Sequence, residues 1–142
     1  MSEPKFSFYD NVSRCELLDP DTHELIVGEA YCMPEDADMM SQKTGCDIAL
    51  YKATAKLFKN KRKRLKKEKK VLEDLYKVYQ GRPDYDQADP YVRILRKKIH
   101  SYQSDIALIS DCESACHKDL EKYIQDKDKF YQQIRSHRKS DQ

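Results

Sequence analysis

The sequence predicts an α+β protein in which a small N-terminal antiparallel β-sheet is followed by two long antiparallel α-helices. Residues 5–33 carry short runs of alternating apolar and polar side chains, separated by turn residues. Residues 44–80 and 90–138 instead repeat apolar side chains every three or four positions, which is the helical period. At 142 residues, the chain 1–142 fits a single domain built from these three segments.

The predicted β-meander covers residues 5–33. Phe6 and Phe8 alternate with polar neighbours, and a polar turn follows at residues 10–11. A second turn cluster, DPDTHE at residues 19–24, leads into the apolar stretch LIVGEAYC. Two or three short strands are stable only when something covers one face of the sheet. We therefore expect a helix or a second copy of the sheet to pack on it.

The first long helix is predicted over residues 44–80. Beyond Gly45 this segment contains no further glycine and no proline, so one continuous helix about 55 Å long fits it. Gly81 ends the pattern. Arg62 and Lys69 fill two positions of an otherwise apolar stripe, whose members are Ile48, Tyr51, Ala55, Phe58, Leu65, Leu72, Tyr76 and Tyr79.

The second long helix is predicted over residues 90–138. Asp89 is suited to cap its first turn, and Pro90 is suited to the first helical position. Since a short linker joins two amphipathic helices, an antiparallel hairpin is the simplest arrangement. The apolar stripe of this helix comprises Val92, Leu95, Ile99, Tyr102, Ile106, Ile109, Cys116, Leu120, Ile124, Tyr131 and Ile134.

Positive charge is concentrated in one stretch of the first helix. The run KNKRKRLKKEKK, residues 59–70, holds nine basic side chains and one acidic one, although the formal net charge of the chain is only +2. On a helix whose apolar stripe contains Phe58 and Leu65, six of these lysines must point away from the helix partner: Lys59, Lys61, Lys63, Lys66, Lys67 and Lys70. We interpret the run first as a solvated face, with nucleic acid and an acidic partner as alternatives.

The cysteines and histidines do not form a familiar catalytic or metal-binding pattern. The five cysteines are odd in number, and we expect reduced thiols in a cytosol. Cys112 and Cys116 share a helix face beside His117, but a second pair at ligand spacing does not accompany them, so core packing is favoured over metal binding. We expect no enzymatic activity, no metal and no cofactor.

Aromatic and basic side chains are interleaved near the C-terminus. The stretch KFYQQIRSHRK, residues 129–139, combines both types within three helical turns. Such a combination suits a nucleotide, since a guanidinium binds phosphate and an aromatic ring stacks on a base. The alternative is that the rings are core residues. The predicted ligand-binding residues are Tyr123, Phe130, Tyr131, Arg135 and Arg138.

Residues 28–56 carry a sparse motif formed by Gly28, Ala30, Cys32, Pro34, Asp36, Gly45, Ile48, Ala49 and Ala53. This motif resembles that of the phage anti-Thoeris sponge proteins. The resemblance implies a phage counter-defence protein that acts in the host cytoplasm. It would bind and sequester a cyclic ADP-ribose immune signal without cleaving it. It also implies an aromatic-plus-two-arginine site at Phe130, Arg135 and Arg138. Independently, the half-covered apolar faces of the sheet and the hairpin predict a homo-oligomer, dimer or higher.

Two other functions remain open from the residues themselves. The helical hairpin could dock on and inhibit a host protein. Alternatively, the basic helix segment 56–70 could bind nucleic acid, which would make affinity fall steeply with salt. The balanced net charge argues against nucleic acid as the main partner. No apolar run reaches membrane length, so a membrane is not expected as a partner.

Overall fold

A computed structural model describes residues 3–31 and 42–140 and confirms the predicted α+β architecture. Both helices begin and end within two residues of the predicted limits. Residues 32–33, the last two of the predicted meander, lie outside the described residues. The elements are β1 (Lys5–Tyr9), β2 (Val12–Leu18), β3 (Leu25–Tyr31), α1 (Gln42–Gln80) and α2 (Pro90–Ser140).

The chain divides into two compact units, each containing part of both helices. The sheet unit comprises Met1–Leu57 and Ser114–Gln142, and the hairpin unit comprises Phe58–Glu113. In the sheet unit, Asp47 contacts Tyr123. In the hairpin unit, Arg62 contacts Glu113 and Glu68 contacts Tyr102. Since the partner number falls as the α1 number rises, the helices of the hairpin unit run antiparallel.

The sheet has the order β1-β2-β3 with both neighbouring pairs antiparallel. Asp10 and Asn11 adopt φ angles of 43° and 64°, as the two-residue hairpin turn between β1 and β2 requires. The predicted turn cluster joins β2 to β3. Its first residue, Asp19, is buried, and its carboxylate accepts a hydrogen bond of 2.9 Å from the backbone N–H of Asp21. Both turns were therefore predicted correctly.

One face of the sheet packs directly on the first turns of α1. Gly28 is essential to this contact: a Cβ placed on it would lie 2.2 Å from the carbonyl oxygen of Ala49 and 2.5 Å from the nitrogen of Ala53. Helix and strand backbones can approach this closely only when neither carries a bulky side chain there. The expected helix cover of the sheet is confirmed. Its core contains Cys15, Ile26, Ala30, Ala49 and Ala53.

The hairpin unit is bounded by well-defined helix ends. The N–H of Gly81 donates to the carbonyl of Lys77 at 3.1 Å, so α1 ends at the predicted glycine. No described glycine has a positive φ, so this end does not use the left-handed cap that glycine usually provides. Asp89 caps α2 as predicted, because its carboxylate accepts the N–H of Tyr91 at 2.9 Å.

The polar interruption of the α1 stripe has a partner across the hairpin. Arg62 donates from Nε to the Glu113 carboxylate at 2.7 Å and from Nη2 at 3.4 Å, a two-point contact. The two side chains are only 23% and 14% exposed, so the pair is largely removed from water. A two-point guanidinium–carboxylate contact is both strong and geometrically selective. Arg62 therefore belongs to the helix seam, although it is charged.

We expect Arg62→Met to lower the free energy of unfolding by about 2 kcal/mol, because it removes the guanidinium that bonds the Glu113 carboxylate. Lys63→Met is the matched control: it removes the same charge from an exposed neighbour and should change stability by less than about 0.5 kcal/mol. Urea denaturation followed by circular dichroism measures both. Equal stability of the two variants would show that the pair does not stabilise the hairpin.

Candidate functional site

Tyr123, one of the predicted ligand residues, is part of the helix packing in the sheet unit. Its hydroxyl donates to the Asp47 carboxylate at 2.7 Å, and its ring lies 5.8 Å from that of Tyr51. Burial, followed by the hydrogen bond to Asp47, raises the pKa of Tyr123 to about 12. The ammonium group of Lys127 lies over the same ring, with Nζ 5.5 Å from the Tyr123 ring centroid. Tyr123 thus has a structural role that is independent of any ligand.

The other predicted ligand residues lie along the last turns of α2. Phe130 is 53% exposed, whereas Tyr131 is buried, and their ring centroids are 5.8 Å apart. The backbone of Arg135 and Arg138 is helical, but their side chains lie outside the described part of the chain. Phe130 is therefore available for stacking and Tyr131 is a packing residue. The ligand role of this cluster stays a prediction.

Five of the six lysines that were predicted to point outward from the basic run are exposed. Lys61 was expected to point away from the seam but is half-buried and has an interaction partner. The remaining predicted outward lysines are exposed: Lys59, Lys63, Lys66, Lys67 and Lys70. In the described part of the chain, no helix combines the length and apolarity needed to span a membrane.

A cationic groove lies between α1 and α2 within the hairpin unit, close to the connecting loop. Its volume is about 670 Å³, within the range of pockets that bind small molecules. Two sets of four residues provide most of its lining, one from each helix. They are Glu73, Tyr76, Lys77 and Gln80 on α1, and Arg93, Arg96, Lys97 and His100 on α2, with Ile99 and Gln103 completing the wall.

Helical spacing explains why these side chains converge. In each set the residues stand at relative positions 0, 3, 4 and 7, which places them on one face of a helix. The antiparallel hairpin then sets the two faces beside each other. The sequence analysis missed this groove, because its residues lie on two segments separated by the loop. The same relative positions of 0, 3, 4 and 7 in both sets were the signal in the sequence that could have revealed the groove.

The groove is strongly electropositive. Four of its side chains, Lys77, Arg93, Arg96 and Lys97, are basic, and all four are exposed. Its single carboxylate, that of Glu73, already pairs with Lys69 one turn earlier on α1 at 3.5 Å. Among residues 3–31 and 42–140, no ion pair neutralises the four basic groups. The arrangement therefore suits a ligand that carries at least two negative charges.

The aromatic wall of the groove is held by the connecting loop. The hydroxyl groups of Tyr76 and Tyr85 are 3.1 Å apart, and this hydrogen bond is the main cause that raises the pKa of Tyr85. Outside the groove lining, the guanidinium of the loop residue Arg82 lies 5.2 Å from the ring centroid of Tyr79. Loop residues thus fix the position of the half-buried Tyr76 ring next to the basic side chains.

Two of the four described cysteines occupy buried packing positions. Cys15 and Cys116 are buried, and the Cys116 thiol donates to the carbonyl of Tyr51 at 3.3 Å. This geometry supports the expected core role of Cys116. Within the described residues, no group of three or more His, Cys, Asp or Glu side chains could hold a metal ion.

The motif in residues 28–56 has a packing role in this fold. Gly28, Ala49 and Ala53 form the close contact between β3 and α1, and Ala30 belongs to the same core. Cys32, Pro34 and Asp36 lie outside the described residues. Searches against protein-family models, curated proteins and solved structures found no match.

Proposed function

We propose that this protein binds and sequesters a phosphate-bearing nucleotide signal of the cyclic ADP-ribose type without cleaving it, and that the cationic groove of the hairpin unit is its binding site. The resemblance of residues 28–56 to the phage anti-Thoeris sponge proteins suggests the ligand class and a counter-defence role in a host cell. The chemistry of the groove supports a ligand of this class. The proposal rests on one observation above all: four basic side chains that have no ion-pair partner among the described residues line one groove together with Tyr76, whose hydroxyl is hydrogen-bonded to Tyr85.

The two arginines of α2 are suited to the phosphate groups. Arg93 and Arg96 stand three residues apart on one helix face, so both guanidinium groups reach the same part of the groove. Each guanidinium offers a planar pair of N–H donors that match phosphate oxygens. Lys77 on the facing helix contributes a third positive charge. Together these three positive charges more than balance the two negative charges of a pyrophosphate bridge.

The ring of Tyr76 is suited to the base or ribose. It lies in the same groove, and its hydroxyl is engaged with Tyr85, which leaves the ring itself as the available surface. Stacking of a base on an aromatic side chain contributes about 1 to 3 kcal/mol in other nucleotide-binding proteins. The backbone of both walls is helical, so the ordering that binding requires is confined to side chains.

Capture without turnover can be tested directly with the full chain. The purified protein is incubated with cyclic ADP-ribose isomers, freed of unbound ligand by gel filtration, and heated to release what it holds. We expect the nucleotide to return chemically intact, in a fixed ratio to protein. A hydrolysed product would identify an enzyme instead. Failure of the folded protein to retain any isomer would reject nucleotide capture and favour docking on a protein or nucleic acid.

A further inference from the structure

The two edge strands of the β-sheet, β1 and β3, differ in the hydrogen bonding of their outward-pointing backbone groups. At the β3 edge, Lys52 donates to the carbonyl of Glu29 at 3.0 Å, and Lys56 donates to the carbonyl of Val27 at 2.6 Å. Lysines on an edge strand are a common means of preventing a further strand from pairing. Two lysine side chains of α1 therefore donate hydrogen bonds to outward-pointing carbonyl groups of β3.

The opposite edge of the sheet is β1. The turn that follows β1 shows which of its backbone N–H and C=O groups point away from β2. In a two-residue hairpin, the residues that flank the turn, Tyr9 and Val12, form a hydrogen-bonded pair. Along an antiparallel strand, every second residue bonds to the same neighbouring strand, so Ser7 also bonds to β2. The backbone N–H and C=O groups of Phe6 and Phe8 consequently point toward the outer edge.

The side chains of β1 make this edge apolar as well. Phe6 pairs with Cys15 and Phe8 pairs with Ser13, which puts both rings on the sheet face that carries the core. Their exposures are nevertheless 42% and 47%. The core face of the sheet thus continues into two rings that remain nearly half exposed within one chain. An exposed aromatic edge strand is a template for pairing with another strand.

The sequence of β1 suits an antiparallel pairing with the β1 strand of a second copy. In an antiparallel arrangement centred on Ser7, Phe6 lies opposite Phe8 of a second copy, and Lys5 lies opposite Tyr9 rather than opposite another lysine. Ser7, at the centre, then forms a non-hydrogen-bonded pair with Ser7 of the second copy. This agrees with the backbone of β1, in which the groups of Phe6 and Phe8 point toward the outer edge. A two-fold axis produces this match, and two-fold dimers are the commonest protein assemblies.

We propose that two copies of this protein associate through β1, with the two β1 strands antiparallel about Ser7 in one continuous six-stranded sheet. Phe6 and Phe8 of each copy exchange backbone hydrogen bonds across the two-fold axis, and the four rings extend the apolar face of the joined sheet. The lysine-capped β3 edges end the sheet on both sides, so pairing stops at the dimer. This proposal is independent of the nucleotide-binding groove.

Two double variants test the register as well as the surface. F6E/F8E places like charges opposite each other across the proposed axis, whereas F6K/F8E places opposite charges there. Both remove the same two rings from positions whose backbone groups do not bond to β2. Sedimentation velocity at micromolar concentration measures the mass, and circular dichroism verifies that each variant is folded.

We expect the parent protein to sediment at twice the 16.8 kDa mass of one chain. F6E/F8E should be monomeric, and F6K/F8E should recover at least a tenfold higher dimer affinity than F6E/F8E. A monomeric parent would overturn the proposal and indicate that another part of the same chain covers β1. Dimers that persist equally in both variants would overturn it too, because association would then depend on another surface.

Discussion

Gly28→Ala should destabilise the sheet unit by about 3 kcal/mol, close to the upper end of what overpacking normally costs. The added methyl group would lie 2.2 Å from a backbone oxygen and 2.5 Å from a backbone nitrogen of α1. Backbone atoms inside a helix cannot rotate away as a side chain can, so β3 and α1 must separate. That separation opens the core around Cys15 and Ala53. Thermal unfolding followed by circular dichroism measures the loss.

Gly81→Ala is the matched control for this substitution. Its added methyl group would lie 3.6 Å from the carbonyl oxygen of Lys77 and 3.7 Å from that of Val78, which are ordinary contacts. Because Gly81 does not have a positive φ, alanine fits its backbone, and the reduced freedom of the unfolded chain should stabilise slightly, by about 0.5 kcal/mol. If both glycine variants melted with the parent, the close approach of β3 and α1 would be contradicted.

The architecture was predictable because each helix presents one continuous apolar stripe over many turns. The stripe from Ile48 to Tyr79 is buried or half-buried throughout, and so is the stripe on α2. A single stripe could not predict the second apolar face at the start of α1, where Ala49 and Ala53 lie against the sheet. Small residues contribute little to hydrophobic periodicity, although they permit the closest packing.

The candidate site was less predictable for a geometric reason. The C-terminal cluster around Phe130 is visible in the sequence because its aromatic and basic residues are contiguous. The groove is assembled from Tyr76 and Lys77 on one helix and from Arg93 and Arg96 on the other. Their convergence depends on the exact pairing of the two helices across the loop. Periodicity predicts that two helices pair, but it does not give their register.

Arg93→Gln combined with Arg96→Gln should weaken nucleotide capture by at least a hundredfold. Hydrogen bonds to a charged group contribute roughly 1.5 to 3 kcal/mol each, and about 1.4 kcal/mol corresponds to a factor of ten in affinity. Two such contacts to a pyrophosphate therefore account for at least two orders of magnitude. Both side chains are exposed, so their replacement should leave the fold intact.

Two control variants carry the same change in charge. Lys59→Gln with Lys63→Gln removes two positive charges from the solvated face of α1 and should leave affinity within a few-fold of the parent. Arg135→Gln with Arg138→Gln tests the C-terminal cluster that the sequence predicted. If this second pair abolished capture while the groove variant bound normally, the binding site would be the C-terminal cluster.

Calorimetric titration of cyclic ADP-ribose into the parent protein and these three double variants tests the proposed binding site most directly. We expect saturable binding by the parent and normal binding by the Lys59/Lys63 and Arg135/Arg138 variants. Replacement of Arg93 and Arg96 should weaken binding at least a hundredfold. Unchanged binding by the folded Arg93→Gln, Arg96→Gln variant would contradict the assignment of the groove as the nucleotide site.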